Sequence, residues 1–245
     1  MILITGGSGF IGKAIAEVLR KRQKVRCIVR SRSQMIPGKN REIIEGSLAD
    51  KKVVEKAMKG VKIVVHVAAI LDGNDPQISE INVKATELLV QAAKKEKVRQ
   101  FIFISTENVL YDCHDAYTES KRSAEKIVRQ FPKHLILREP VVYGPGDKRY
   151  IGKFVALMKK MPIVPIPGDG QWTFQPIFVE DIPRYIEQGI KKNIVGTYLI
   201  AGAEAVSLNA LIKRIMELAG EKKPVVHLPM VLVRWMSQVL EVCKI

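Results

Sequence analysis

A phenol and an ammonium stand four residues apart in Tyr117-Thr118-Glu119-Ser120-Lys121. On a helix, positions i and i+4 share one face, so these two groups meet. A free tyrosine titrates near ~10 and is a poor base at neutral pH. A neighbouring cation favours the phenolate and moves the group towards the working range. There it can exchange a proton with a substrate hydroxyl or carbonyl. Of the six tyrosines, Tyr117 alone has a lysine four residues on. Alone, the pair would read as a solvated helix face. It gains weight from what precedes it, because Phe101 to Ser105 reads as a buried strand ending in Ser105-Thr106. Either hydroxyl, from Thr106 or Ser105, could orient the same substrate oxygen.

A second cluster opens the chain. Ile2, Leu3 and Ile4 form a short apolar run, Thr5-Gly6-Gly7-Ser8-Gly9 breaks it, and Phe10 to Arg20 follows helical spacing. Gly6, Gly9 and Gly12 therefore sit where a strand turns into a helix. Glycine there allows positive φ and a close backbone approach. The free amides and dipole of the helix start favour a pyrophosphate. An ordinary glycine-rich turn would not explain glycines at every third position. We read Gly6, Ser8, Gly9, Phe10, Ile11 and Gly12 as a dinucleotide loop.

These groups require a parallel sheet. Val25 to Val29 reads as the second strand and ends at Arg30-Ser31-Arg32. A carboxylate at that place would bind the 2′-hydroxyl of NAD, whereas arginine suits the 2′-phosphate of NADP. Arg30 and Arg32 thus point to NADP, with NAD possible. The plain alternative is that both are exposed loop charges. Glu42 to Glu45 is expected to be a third strand, followed by Ser47-Leu48, and Lys51 to Met58 a short helix. Ile63 to Ala69 is a near-continuous apolar run, as a central parallel strand requires. His66 inside it reads as a core residue, and the small Ala68 and Ala69 would let a cofactor lie against the backbone. Ile81 to Lys95 is the next helix, with Asn82 facing the top of the sheet. Leu135 to Val142 is a sixth strand.

The second half is less regular. Ile151 to Lys160 reads as an amphipathic helix and the proline- and glycine-broken Met161 to Gly170 as a loop over the site. Gln175 and Trp172 are expected to face the substrate, although Trp172 could equally pack a small lobe. Glu180-Asp181 is expected to cap the helix Ile182 to Ile190, and Thr197 to Ala201 to form a strand. Ser207 is expected to cap the helix Leu208 to Ala219, which Gly220 ends. From Met230 an amphipathic helix begins. Docking on the lobe is favoured over peripheral membrane contact or a partner helix, and the chain ends there without a stop signal, as a shortened lobe would. The expectation is a doubly wound α/β domain over 1–147 and 177–205, with a small substrate lobe over 148–176 and 206–245.

The chain has 245 residues, enough for one large domain or a domain with a small lobe. Its 40 Lys and Arg against 25 Asp and Glu give a net charge of +15. That field suits phosphate-rich ligands. The charges are dispersed, however, and no aromatic stacking platform accompanies a basic patch, so nucleic acid is not expected. Three scattered cysteines argue for a reducing cytoplasmic setting and against a disulfide framework or a metal site. No apolar run reaches membrane-spanning length, and with Met1 leading straight into the first strand no signal peptide is expected.

The ordered series TGGSGFIG (5–12), VVHVAA (64–69), INVKAT (81–86), FISTENV (103–109), YTESK (117–121), LREPVVYGPGD (137–147) and FVEDI (178–182) resembles the extended short-chain dehydrogenases/reductases of the NAD(P)-dependent epimerase/dehydratase group. The resemblance covers most of the chain. It implies a Rossmann fold, with Tyr117 as acid/base and Lys121 as its activator and ribose anchor. Thr106 takes the serine/threonine position, Asn82 the helix asparagine, and Val67 to Ala69 pass the cofactor. Pro140 and Val142 would lie near the nicotinamide. It also implies a hydroxyl or keto substrate, a nucleotide-sugar or a small apolar ketone, and a homodimer through helices 81–95 and 117–130. Three positions depart from the pattern. Ser47 replaces a common aspartate that contacts adenine, Arg30 replaces the NAD-type acid, and Glu139 stands where proline is common. GDGQWTFQPIFVEDI further resembles a branch that includes homologues of an accessory subunit of respiratory complex I, for which NADP(H) is a structural part rather than a consumed cofactor.

Overall fold

The computed structural model describes residues 1–35, 38–149 and 151–233. In chain order the first elements are β1 (Ile2–Thr5), α1 (Phe10–Leu19), β2 (Val25–Val29), β3 (Arg41–Glu45), α2 (Lys51–Met58) and β4 (Ile63–His66). Then come α3 (Ala85–Lys95), β5 (Gln100–Thr106), α4 (Ala116–Val128), β6 (His134–Glu139), β7 (Val142–Tyr143) and α5 (Ile151–Lys160). The last are β8 (Val164–Pro167), β9 (Thr173–Phe174), β10 (Ile177–Phe178), α6 (Ile182–Lys191), β11 (Gly196–Leu199), β12 (Val206–Ser207), α7 (Leu208–Ala219) and β13 (Val225–Leu228). The chain divides into two units, Met1–Pro140 with Ile177–Ala201, and Val141–Pro176 with Gly202–Ile245. The first division thus falls where β6 ends, seven residues before the boundary expected at Asp147.

The first unit is a parallel sheet of seven strands in the order β11-β6-β5-β4-β1-β2-β3. This is the doubly wound arrangement, with β1 paired on one side to β2 and on the other to β4. The order reverses between β1 and β4, and ligands of such sheets bind beyond the strand ends at that point. Burial explains the sheet. Ile2, Leu3, Ile4, Val64, Val65, Phe101 and Ile102 are shut off from solvent, as central parallel strands covered on both faces must be. Leu3, Val64, Phe101, Phe103 and Ile136 pack with Val54, Leu89 and Val128 from the helices in one cluster. The start of α2 is fixed by Asp50, whose carboxylate accepts from Lys52 N–H at 2.8 Å.

Several expectations need correction. The fourth strand stops at His66 rather than running to Ala69, because the N–H groups of Val67 and Ala68 both turn to Thr5 Oγ1 at 3.2 Å. The helix expected from Ile81 begins instead with a π-turn over Glu80–Lys84. The sixth strand ends at Glu139, since Pro140 has no N–H for the ladder. The Asp181 carboxylate makes no cap bond to the backbone of α6 and pairs with Arg184 Nη1 at 2.9 Å.

The second unit has its own small core of Met158, Val164, Ile166 and Ile212. The segment expected to be a loop over the site contains β8, paired in parallel with β13. Its prolines are tolerated because flanking N–H groups carry the pairing, Val164 to Pro224 O at 2.9 Å and Gly168 to Leu228 O at 2.8 Å. Ser207 Oγ accepts from Ala210 N–H at 3.1 Å, and Gly220 ends α7 at φ +68, as the sequence implies. The amphipathic helix expected beyond Met230 lies outside the described residues from Arg234 onward. Among the described residues, no helix is long and apolar enough to cross a membrane.

Candidate active site

The glycine turn is built by contact. Gly6 takes φ +68, and a Cβ on it would lie 2.8 Å from Ala68 Cα. A Cβ on Gly12 would lie 2.0 Å from the Gly6 carbonyl oxygen, so α1 can start only because position 12 has no side chain. Gly9 at the N-cap has no side-chain cap bond, and the first turn of α1 has no acid. The helix start therefore presents backbone amides and a positive dipole end beside Gly6, Ser8, Phe10 and Ile11. These features fit a dinucleotide pyrophosphate.

A chain of buried side chains runs from this turn to the helix that carries Tyr117. Thr5 and His66 are register partners at the ends of β1 and β4. Thr5 Oγ1 accepts from Val67 and Ala68, so its own proton goes to His66 Nδ1 at 2.7 Å. Thr86 donates to the Asn82 carbonyl at 2.7 Å, so its oxygen accepts from His66 Nε2 at 2.8 Å. The imidazole is thereby the neutral Nε2–H tautomer. Burial pushes its pKa down to about 3, and the charge of Lys121 adds to the effect. Asn82 continues the chain. It takes Ile70 N–H at 2.7 Å, gives to Ile70 O at 2.8 Å and gives to Ser120 Oγ at 2.9 Å. Ser120 donates to the Tyr117 carbonyl at 2.6 Å. His66, expected to be a core residue, is fully buried, and through Thr5 and Thr86 it ties into the bonds that hold the backbone at Val67 to Ile70. Its register pairing with Thr5 could not be read from the sequence.

Tyr117 stands in the first turn of α4. Asp115 caps that turn by accepting from Thr118 N–H at 2.9 Å. Burial opposes its charge, but bonds from Cys113 and Thr118 outweigh that and hold its carboxyl down to about 2. Lys121 is 3% exposed. Its Nζ donates to Ile104 O at 2.6 Å and lies 4.0 Å from the centre of the Phe103 ring. Burial pulls this ammonium below the usual lysine range, while the Glu139 and Glu125 carboxylates act to raise it. Thr106 and Ser105 end β5 in register with Glu139 and Arg138 of β6. Both are buried, and Thr106 Oγ1 accepts from Asn108 N–H at 3.3 Å. Arg138 grips Glu125 through Nε to Oε1 at 2.9 Å and Nη2 to Oε2 at 2.7 Å. The segment between Thr106 and α4 is clamped by Arg122, which donates to Val109 O at 3.3 Å, to Cys113 O at 2.7 Å and to Tyr111 O.

The other expected residues fall as follows. Arg30 is exposed just past β2, and exposed Arg32 has Nε 3.8 Å from Glu45 Oε2. Ser47 Oγ accepts from Ala49 N–H at 3.2 Å, and Leu48 packs in the core. Ala68 and Ala69 follow β4, and Pro140 follows β6. The sheet of the first unit therefore brings the glycine turn, residues 67–70, Ser105-Thr106 and Tyr117-Lys121 to the strand ends. In the second unit Val142 is buried in β7. Trp172, 52% exposed, lies against Phe174 with ring centres 5.2 Å apart. Gln175 Nε2 donates to Gly202 O at 2.7 Å. Among the described residues, no group of three or more His, Cys, Asp or Glu is placed to hold a metal.

Comparison with known proteins gives a consistent picture. Ceramide reductase of Caulobacter vibrioides is 28% identical over 172 residues, which cover 68% of this chain and 53% of that protein. The chain thus spans about half the length of that curated relative. The low-salt glycan biosynthesis protein Agl12 of Haloferax volcanii is 25% identical, with 89% of this chain and 82% of that protein covered. Among solved structures, UDP-glucuronic acid 4-epimerase from Bacillus cereus in complex with NAD is similar at a TM-score of 0.82 and 25% identity. The match covers 93% of this chain and 87% of that one. The Bordetella bronchiseptica enzyme WbmH in complex with NAD+ has a TM-score of 0.82 at 22% identity, covering 93% and 85%, and shows the shared fold. The profile of the NAD dependent epimerase/dehydratase family matches residues 2–202, and the chain belongs to that family.

Proposed function

We propose that the protein is an NAD(P)-dependent oxidoreductase or epimerase acting on a secondary alcohol or its ketone. The observation that carries this reading is the desolvated Lys121, held on the Ile104 carbonyl one helical turn from Tyr117. A lysine on a solvated helix face would stay in water; a buried one brings its charge to the phenol. When bound, the nicotinamide accepts or returns a hydride at the substrate carbon. In that scheme Thr106 binds the substrate oxygen. Tyr117 takes the hydroxyl proton in the oxidative direction and gives it back in the reductive one. The Lys121 charge stabilises the phenolate between these events. Gly6, Gly9 and Gly12 admit the pyrophosphate, and Arg30 with Arg32 would receive a ribose 2′-phosphate, so NADP is the proposed cofactor.

A nucleotide-sugar substrate accords with the family and the positive field. A second reading is an apolar ketone; the second unit, taken by itself, holds an apolar cavity of about 270 Å³ lined by Phe154, Leu157, Met158, Met161, Val164 and Ile212 among others, of a kind that suits such a group.

The test is calorimetric binding of NADP+ and NAD+ followed by turnover with UDP-sugars and a steroid ketone. Tighter NADP+ binding that weakens in Arg30→Ala supports the phosphate-reading arginine; equal or tighter NAD+ binding removes it. Tyr117→Phe is expected to keep dinucleotide affinity and lose turnover by about 10²- to 10⁴-fold. Unchanged turnover in that variant overturns the assignment of Tyr117 as the acid/base. A parent protein that binds the dinucleotide without turnover, and whose function Tyr117→Phe leaves unchanged, would favour a non-catalytic NADP(H)-holding part of a membrane complex.

A further inference from the structure

Tyr117 lies between two anchors on α4. Successive residues of a helix are about 100° apart around its axis, so Ser120 falls about 60° to one side of Tyr117 and Lys121 about 40° to the other. Lys121 ties its side to β5, with Nζ donating to Ile104 O at 2.6 Å. Ser120 is buried and ties the other side. Its Oγ accepts from Asn82 Nδ2 at 2.9 Å and donates to the Tyr117 carbonyl at 2.6 Å.

Asn82 is itself fixed to the backbone beyond β4. Its side chain accepts from Ile70 N–H at 2.7 Å and donates to Ile70 O at 2.8 Å. It stands in the π-turn Glu80–Lys84, and single π-turns recur at functional sites. Ile70 directly follows Val67 to Ala69, the residues that the family resemblance sets along the cofactor. One anchor alone would let α4 roll about its axis; two anchors flanking Tyr117 do not. A roll of about 10° moves a group about 6 Å from the axis by about 1 Å. A misplacement of that size can lower a rate by about 10²-fold.

Resting on the Tyr117–Lys121 reading above, we propose that Ser120 is a positioning residue which, through Asn82, fixes the roll of α4 against the backbone at Ile70 and so holds the Tyr117 phenol in its working position. The Ser120 hydroxyl has one proton, and it goes to the Tyr117 carbonyl. Its oxygen is thereby left to receive the Asn82 N–H. Alanine at 120 would leave that buried N–H without its acceptor and cut the link between Ile70 and α4.

The experiment follows the Tyr117 ring by NMR on protein carrying 13C-labelled tyrosine, before and after saturation with NADP+ or NAD+, whichever binds more tightly. The signal is assigned by its loss in Tyr117→Phe. No substrate is needed, so the result is read independently of turnover. In the parent, one Tyr117 signal is expected, and it moves on saturation. In Ser120→Ala dinucleotide affinity is expected to be kept, while the Tyr117 signal splits or loses most of that displacement. With a UDP-sugar or steroid ketone that the parent turns over, kcat should fall by about 10- to 10²-fold at unchanged KM. Ser120→Thr keeps a hydroxyl that can bond the carbonyl three residues back, and is expected to restore the signal. Ser120→Cys, whose thiol bonds only weakly, takes the place of the alanine variant if that one does not fold. A purely structural role would lower the urea midpoint and leave the signal of the folded protein as in the parent. A single, fully displaced Tyr117 signal in Ser120→Ala therefore overturns the proposal, as do equal changes in the alanine and threonine variants. A parent signal that the dinucleotide does not move would instead overturn the reading of Tyr117 on which the proposal rests.

Discussion

Acidification from pH 7.5 to 5.0 isolates the energetic role of His66. In the folded state its ring is fully enclosed and its pKa is about 3, whereas an unfolded histidine titrates near ~6.5. The unfolded chain therefore binds a proton that the folded chain refuses. The stability that neutral His66 contributes is complete above about pH 6.5 and is lost as pH falls towards 3. At pH 5 the loss amounts to ~2 kcal/mol, because the unfolded histidine is then protonated by about a factor of 30. Other groups titrate over the same range. Glu139, raised by burial, gives the opposite slope, and Glu17 and Glu125, held low, lose stability in stronger acid. Comparison with His66→Gln cancels these contributions, because only the histidine differs. The assay is urea unfolding followed by far-UV circular dichroism for both proteins at several pH values. The wild-type advantage over His66→Gln should shrink by ~2 kcal/mol between pH 7.5 and 5.0. An advantage that does not change with pH would refute the neutral, hydrogen-bonded imidazole.

Two further outcomes are expected. Gly12→Ala puts a methyl group 2.0 Å from the Gly6 carbonyl oxygen. It should destabilise the fold by about 1–3 kcal/mol and abolish measurable dinucleotide binding by calorimetry. Arg138→Met removes the two-pronged partner of Glu125, whose side chain is 3% exposed. It should cost about 3 kcal/mol in urea unfolding, and adding Glu125→Gln should recover much of the loss.

The glycine turn, the second strand and helices α2, α5 and α7 were legible because each is set by local chemistry. Asp50 and Ser207 cap their own helices, and Gly12 meets Gly6 only six residues away. What escaped the sequence depends on residues far apart. The early end of β4 comes from Thr5, 62 positions before Val67 in the chain. The β8 strand was hidden by its prolines, and its partner β13 lies 61 residues on. At Tyr117 and Lys121 the i, i+4 spacing gave the shared helix face, but the burial of the ammonium depends on Ile104 and Phe103 beneath it. The carboxylate of Glu139 could be seen as a departure from a pattern, but its proximity to Thr106 required the register of two strands.

The Arg122 clamp has a consequence for how this protein can diversify. The guanidinium grips carbonyl oxygens of Val109, Tyr111 and Cys113, groups that every amino acid possesses. The route of the backbone between Thr106 and α4 is thus separated from the identity of the side chains it carries. Leu110 and Tyr111, 53% and 59% exposed, can be exchanged for other types while the path is kept. The segment is a ready-made cassette for randomisation, in which new chemistry can be sampled at the rim of the sheet without re-solving its conformation each time.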